Sequence, residues 1–155
     1  MMTIPNEDFF KLVEAEINDG QDVRFRIKGT SMQPFLRHLR DEVILQKCHS
    51  ADLKPLDIVL FRYHDQYILH RICKIEHDTL IIQGDGIYAS QEICKKSDVI
   101  GRVTYLIRRG KPLPADNRHY LLLVCLWHRL RFMRRFFIRV CNVYYRISAP
   151  HTQNR

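Results

Sequence analysis

The chain has 155 residues, 46% apolar and 27% charged, which excludes a disordered polymer and suits one folded domain over residues 1–155. Its formal charge of +8 is unevenly placed: residues 1–116 carry 17 Lys and Arg against 17 Asp and Glu, whereas residues 117–155 carry 8 Arg, no Lys and no acid. Five scattered cysteines without a CxxC pair, and eight histidines in no metal-ligand spacing, argue against a disulfide framework and a zinc site; no metal or other cofactor is expected, and a reducing compartment is.

The first 19 residues hold five acids and no long apolar run, so they read as neither a signal peptide nor a membrane anchor. Residues 6–19 predict a helix. Asn6 suits its cap, Glu7 and Asp8 its positive end, and Gly20 its stop. Phe9, Leu12, Val13 and Ile17 are its expected apolar stripe. The period then changes to two. Val23, Phe25 and Ile27 alternate with Arg24, Arg26 and Lys28, as in a half-buried strand. Further strands are expected at 42–47, 57–63, 67–75, 79–83 and 99–108, with turns at His64-Asp65-Gln66 and Glu76-His77-Asp78. Close-spaced strands with hardly any helix among them give a mainly β fold: a compact, coiled β-core over residues 21–109.

Gly110 to Pro114 breaks this pattern, and residues 117–147 return to a helical period. On a helical wheel Arg131, Arg134, Arg135, Arg139 and Arg146 gather on one side; Leu122, Leu126, Met133, Phe136, Phe137, Val140 and Tyr144 gather on the other. The fold is therefore closed by a C-terminal basic amphipathic helix, and residues 148–155 are expected to fray. The longest purely apolar run, Leu121 to Trp127, is far short of the ~20 residues that span a bilayer.

Three segments carry chemistry. In Gly29-Thr30-Ser31-Met32-Gln33-Pro34, directly after a strand, glycine permits a sharp turn and proline stiffens the exit. Ser31 then stands on a fixed turn, as a nucleophile requires, with its own N–H available to a developing oxyanion. The same hexapeptide also reads as a plain Gly-Ser turn. In Tyr67-Ile68-Leu69-His70-Arg71-Ile72, alternation puts His70 on one face with Ile68 and Ile72. Alone it reads as a core histidine; beside a serine it is a general base. In Gln83-Gly84-Asp85-Gly86 the acid reads as a turn residue. If the hairpin folds back, it lies near the His70 strand and can orient the imidazole.

In this order, GTSMQP, LKPLDIVLFRYHDQYILHRI, QGDG and IGRV resemble the catalytic domain of type I signal peptidases over about half the chain, Lys28 to Val103. The likeness is closest to the branch found in archaea, the endoplasmic reticulum and some Gram-positive bacteria, where histidine followed by arginine replaces the lysine base. The resemblance implies a coiled β-domain of the signal-peptidase type, with Ser31 as nucleophile, His70 as base and Asp85 as the acid. Gly29, Thr30 and Met32 fall at the oxyanion and substrate-binding positions. The chain departs from the pattern in five respects. Phe35 replaces the threonine after the proline, Arg40-Asp41 and Leu56-Asp57 replace two glycine-aspartate pairs, Glu92 and Asp98 are only loose matches for the second downstream acid, Gly29 two residues before Ser31 offers no side-chain hydroxyl to an oxyanion, and the usual N-terminal anchor is missing. Arg71 is expected to pair with Asp57 or Asp41, and the cysteines to be small buried hydrophobes.

The function expected on this basis is a serine endopeptidase cleaving a peptide or protein precursor, as in signal-peptide processing, with small side chains at the cleavage position implied by the resemblance. The alternative is an inactive binding or membrane-associated regulatory protein on the same fold. Residues 119–147 suit either peripheral contact with a membrane, where Trp127, Tyr144 and Tyr145 favour the boundary, or packing on the core. Nucleic acid is not an expected partner, since no nucleic-acid fold accompanies the arginines, and the oligomeric state is open. The expected location is cytoplasmic or peripheral at a membrane.

Overall fold

Alternation buries Val43 and Leu45 on one face of their strand, whereas Ile58 to Phe61 are buried on both faces of theirs. A computed structural model describes residues 6–130 and Val140. Helix α1 (Asn6–Asn18) precedes strands β1 (Val23–Arg26), β2 (Glu42–Gln46), β3 (Ile58–Tyr63), β4 (Gln66–Glu76) and β5 (Thr79–Gln83). Strands β6 (Glu92–Lys95), β7 (Val99–Arg108) and β8 (Lys111–Pro114) follow, and then helix α2 (Arg118–Arg129). All eight strands form one antiparallel sheet in the order β1-β2-β7-β3-β4-β5-β6, with β8 added beside β7. The mainly β architecture expected from the sequence is present.

β7 is shared by three neighbours. Its first half pairs with β3 and its second half with β8, while β2 runs along its other edge with a register shift between Ile44 and Leu45. One apolar cluster gathers Val13 and Ile17 of α1, Leu45, Leu60, Leu106, and Tyr120 and Val124 of α2. A second gathers Val59, Phe61, Ile72, Leu80, Ile82 and Cys94. The hairpin β3–β4 turns through His64 and Asp65, both at positive φ, the conformation of a two-residue turn whose twist matches the strands it joins.

Four local expectations change. The apolar stripe of α1 uses Val13 and Ile17, buried, with Phe9 and Phe10 half-buried beside them, and Leu12 is 58% exposed, because a 9/10/13/17 spacing already fills the face turned to the sheet. Residues 111–114, expected to break the pattern, form β8. Pro112 and Pro114 are tolerated there because β8 is an edge strand. Strand β6 lies outside the expected strands, since Ile93 points outward and only Glu92 and Cys94 face inward, reversing the usual alternation. Cys94 is buried, but Cys125 is exposed and Cys48 and Cys73 are half-buried, so the cysteines are not uniformly core residues.

Of the expected C-terminal helix, α2 and Val140 are helical. The arginine face at 131, 134, 135, 139 and 146, the aromatics at 136, 137, 144 and 145, Met133, Cys141 and the fraying tail lie outside the described residues. Among the described residues no helix is long and apolar enough to cross a membrane.

Candidate functional site

Ser31 stands in the turn after β1. Gly29, at φ 95°, bends the chain out of the sheet, and its N–H donates to His38 Nδ1 at 2.9 Å. That donor is therefore used internally and is not free for an oxyanion. Beyond Ser31 the chain is held from below: Met32, Phe35 and Leu36 enter the main core. Asp41, fully buried, accepts from the Arg37 N–H at 2.9 Å and pairs with Arg40. Met32 is thus a core anchor of the turn. The Thr30 carbonyl accepts from the Gln33 N–H at 3.1 Å. Among the described residues neither the hydroxyl nor the N–H of Ser31 has a hydrogen-bond partner, so both stay available.

The loop after β5 packs directly on this turn. The Gly86 N–H donates to the Ser31 carbonyl at 2.7 Å. A Cβ on Gly86 would meet the carbonyl oxygens of Thr30, Gln33 and Ser31 at 2.8–3.3 Å. A Cβ on Gly84 would lie 2.6 Å from the Ser31 carbonyl oxygen, 3.0 Å from His70 Nε2 and 3.1 Å from Ile87 Cδ1. Neither glycine has a positive φ. Each is needed for lack of bulk, not for backbone freedom. Gly84 is the point at which the Ser31 turn and the His70 ring converge on the same methyl-sized gap.

His70 lies in the middle of β4, with its side chain only 7% exposed. Its Nδ1 is 3.1 Å from Glu92 Oε2. A carboxylate accepts, so in a neutral imidazole this pairing puts the proton on Nδ1 and the lone pair on Nε2. Nε2 has no hydrogen-bond partner among the described residues and is the nitrogen beside the Ser31 turn. The register explains the placement. Ile72, Ile82 and Glu92 stand opposite one another across β4, β5 and β6, so Glu92 shares the face of His70, two residues before Ile72.

Asp85, expected to orient His70, serves another partner. Its two carboxylate oxygens each accept from Arg71 at 2.8 Å, and Oδ1 also accepts from His128 Nε2 at 3.2 Å. Arg71 further donates to the Leu56 carbonyl at 2.7 Å and to the Tyr120 hydroxyl at 2.6 Å. Trp127 Nε1 donates to the Asp85 carbonyl at 2.8 Å. The cause is alternation: Arg71 lies on the opposite face of β4 from His70, and the hairpin brings Asp85 to that face. Arg71 accordingly pairs with neither Asp57 nor Asp41. Asp57 instead accepts from the Lys54 N–H and faces Arg102 at 3.5 Å.

Both members of this pair are buried, Arg71 at 1% and Asp85 at 0% side-chain exposure. Burial pushes the Asp85 carboxyl up. The charge of Arg71 and the hydrogen bonds from His128 and Arg71 outweigh it and hold the group below the ordinary carboxylate value. Burial would lower the Arg71 pKa, but Asp85 and Tyr120 raise it, so the guanidinium stays charged. Burial likewise keeps the Tyr120 phenol neutral by raising its pKa. The network ties the loop of Gly84 and Gly86 to α2 and leaves His70 to Glu92. Among the described residues no cluster of His, Cys, Asp or Glu suits a metal ion.

Chemically, the arrangement offers an unengaged hydroxyl, an imidazole whose Nε2 has no hydrogen-bond partner among the described residues and lies beside the Ser31 backbone, and a carboxylate on its Nδ1. Glu92, from sequence one of two loose matches for a second acid, is the carboxylate that meets His70 Nδ1. The signal for its role was the unrecognised strand β6. No protein-family model matches the chain, and no curated protein matches it significantly.

Proposed function

We propose that the chain is a serine endopeptidase of the signal-peptidase type acting on a peptide or protein precursor, with Ser31 as nucleophile, His70 as general base and Glu92 as the acid that orients it. The observation that carries this reading is the division of the His70 ring: Nδ1 on Glu92, Nε2 free beside the Ser31 turn. That division assigns the imidazole the tautomer a base needs. In the reaction His70 Nε2 takes the proton of Ser31 Oγ as the oxygen attacks the scissile carbonyl carbon. The oxyanion develops beside the Ser31 N–H. The C–N bond then breaks, the imidazolium delivers its proton to the leaving amine, and water attacks the acyl-enzyme by the same route. Glu92 accepts the Nδ1 proton bond throughout and stabilises the imidazolium.

Asp85 acts through packing: it and Arg71 hold the loop whose glycines admit the Ser31 turn. One further local feature supports the family reading. Leu56, at the place of a glycine in the resemblance, has φ 78°, a conformation that favours glycine.

The test compares protein N-termini across the proteome of cells making wild type, Ser31→Ala and His70→Ala. New N-termini that vanish in both variants are the expected result. Identical N-termini in all three, with folded protein present, would replace this reading with an inactive binding or membrane-associated protein on the same fold.

A further inference from the structure

Helix α2 has two apolar faces where a helix packed on a core needs one. Tyr120 and Val124 are buried, and Trp127 and His128 reach Asp85. That face is fully used. On the other side Leu122, Leu123 and Leu126 are 67%, 59% and 54% exposed. Trp127, expected at a membrane boundary from sequence, is on the core side. The exposed leucines carry that character instead.

The charges around them are arranged with equal order. Arg118, Leu122, Leu126 and Arg129 follow one another at spacings of four, four and three, so they form one row along the helix. Both arginines are exposed, and neither has an ion-pair partner among the described residues. The 39 residues that begin with Asn117 contain 8 Arg and no acid, whereas the preceding 116 are balanced. Any attraction to an anionic surface is thus concentrated on this end of the chain.

We propose that this face of α2 docks flat on an anionic lipid surface, its leucines entering the acyl boundary and Arg118 and Arg129 meeting headgroups at either end. A helix with an apolar row bounded by arginines suits that interface. The absence of acids removes the repulsion that anionic headgroups would otherwise meet. A protein partner with an apolar groove would need no such charge bias. The proposal is independent of the peptidase reading.

The experiment sediments the purified full chain with vesicles of phosphatidylcholine alone and of phosphatidylcholine with phosphatidylglycerol. Binding is expected only with phosphatidylglycerol, weakening as salt rises. Leu122→Gln/Leu123→Gln/Leu126→Gln should lower the partition coefficient at least about tenfold, since three half-exposed leucines lose their transfer gain. Arg118→Gln/Arg129→Gln should lower it by about tenfold or more. The altered side chains are exposed, so unchanged thermal melting is expected of both variants and checks their folds. No sedimentation of wild type, equal binding to both vesicles, or a triple variant that binds like wild type would overturn the proposal. A wild-type dimer that the triple variant converts to monomer would also overturn it and assign the face to a second copy.

Discussion

Substituting Gly84 by alanine adds one methyl group where three groups converge. The nearest atom, the Ser31 carbonyl oxygen at 2.6 Å, belongs to backbone that also accepts from Gly86, so it cannot turn aside as a side chain would. His70 Nε2 at 3.0 Å and Ile87 Cδ1 at 3.1 Å close the other sides. Something must shift by several tenths of an ångström. Overpacking of this kind costs about 1–3 kcal/mol, and about 2 kcal/mol in a domain of this size lowers the melting temperature by roughly 4–8 °C. The shift falls on the two groups of the proposed dyad, so turnover should fall by about tenfold to a hundredfold while the protein remains folded. Calorimetry gives the first quantity and peptide-cleavage rates the second. Gly110→Ala is the control: nothing lies within 4 Å of its Cβ and only its φ of 78° resists substitution, at about 1 kcal/mol with no effect on cleavage. A Gly84→Ala protein melting within about 1 °C of wild type would refute the close approach of the two loops.

The two carboxylates near the site should behave differently. Glu92→Gln should cut cleavage by about a hundredfold or more with nearly unchanged melting, whereas Asp85→Asn should destabilise the fold by about 3–5 kcal/mol, because it leaves Arg71 buried and unpaired; urea titration of both variants beside activity separates the roles. The acid dependence follows from the lowered Asp85 pKa. Its stabilising contribution is complete above the unfolded carboxyl value of about 3.9 and is lost as pH falls through the lower folded value. The stability gap between wild type and Asp85→Asn should therefore close only in strong acid, as denaturant titrations from pH 7 downward would record. Trp127→Phe keeps an aromatic ring but removes the donor to the Asp85 carbonyl, and should cost at least about 1 kcal/mol by the same titration at pH 7.

The strands were legible where alternation was regular. β3, β4, β5 and β7 stand within a residue or so of the segments read from apolar spacing, and the Ser31 turn was marked by its glycine and proline. The failures share a cause. β6 shows one outward isoleucine between inward glutamate and cysteine, and β8 carries two prolines that only an edge position permits, so neither has the periodic signature of a strand. Missing β6 hid Glu92, because a side chain cannot be assigned to a face before its strand is known. The exchange of partners at Asp85 was hidden for a different reason. Alternation already placed His70 and Arg71 on opposite faces of β4, but nothing in the sequence tells which face a glycine-flanked acid will reach. That depends on α2, whose Tyr120, Trp127 and His128 complete the Arg71–Asp85 network from a segment 35 or more residues later in the chain.

Whether His70 acts on the side chain at position 31 can be measured without any substrate. The thiol introduced by Ser31→Cys reports the proton affinity at that position through the pH dependence of its alkylation by iodoacetamide, read on its own peptide by mass spectrometry so that the native cysteines do not interfere. Half-maximal alkylation is expected well below the ordinary thiol value of about 8.5 when His70 is present, with a return to that value in the Ser31→Cys/His70→Ala protein. Superimposable profiles in the two proteins, both folded, would rule out His70 as the base, because no proton could then pass between the two positions.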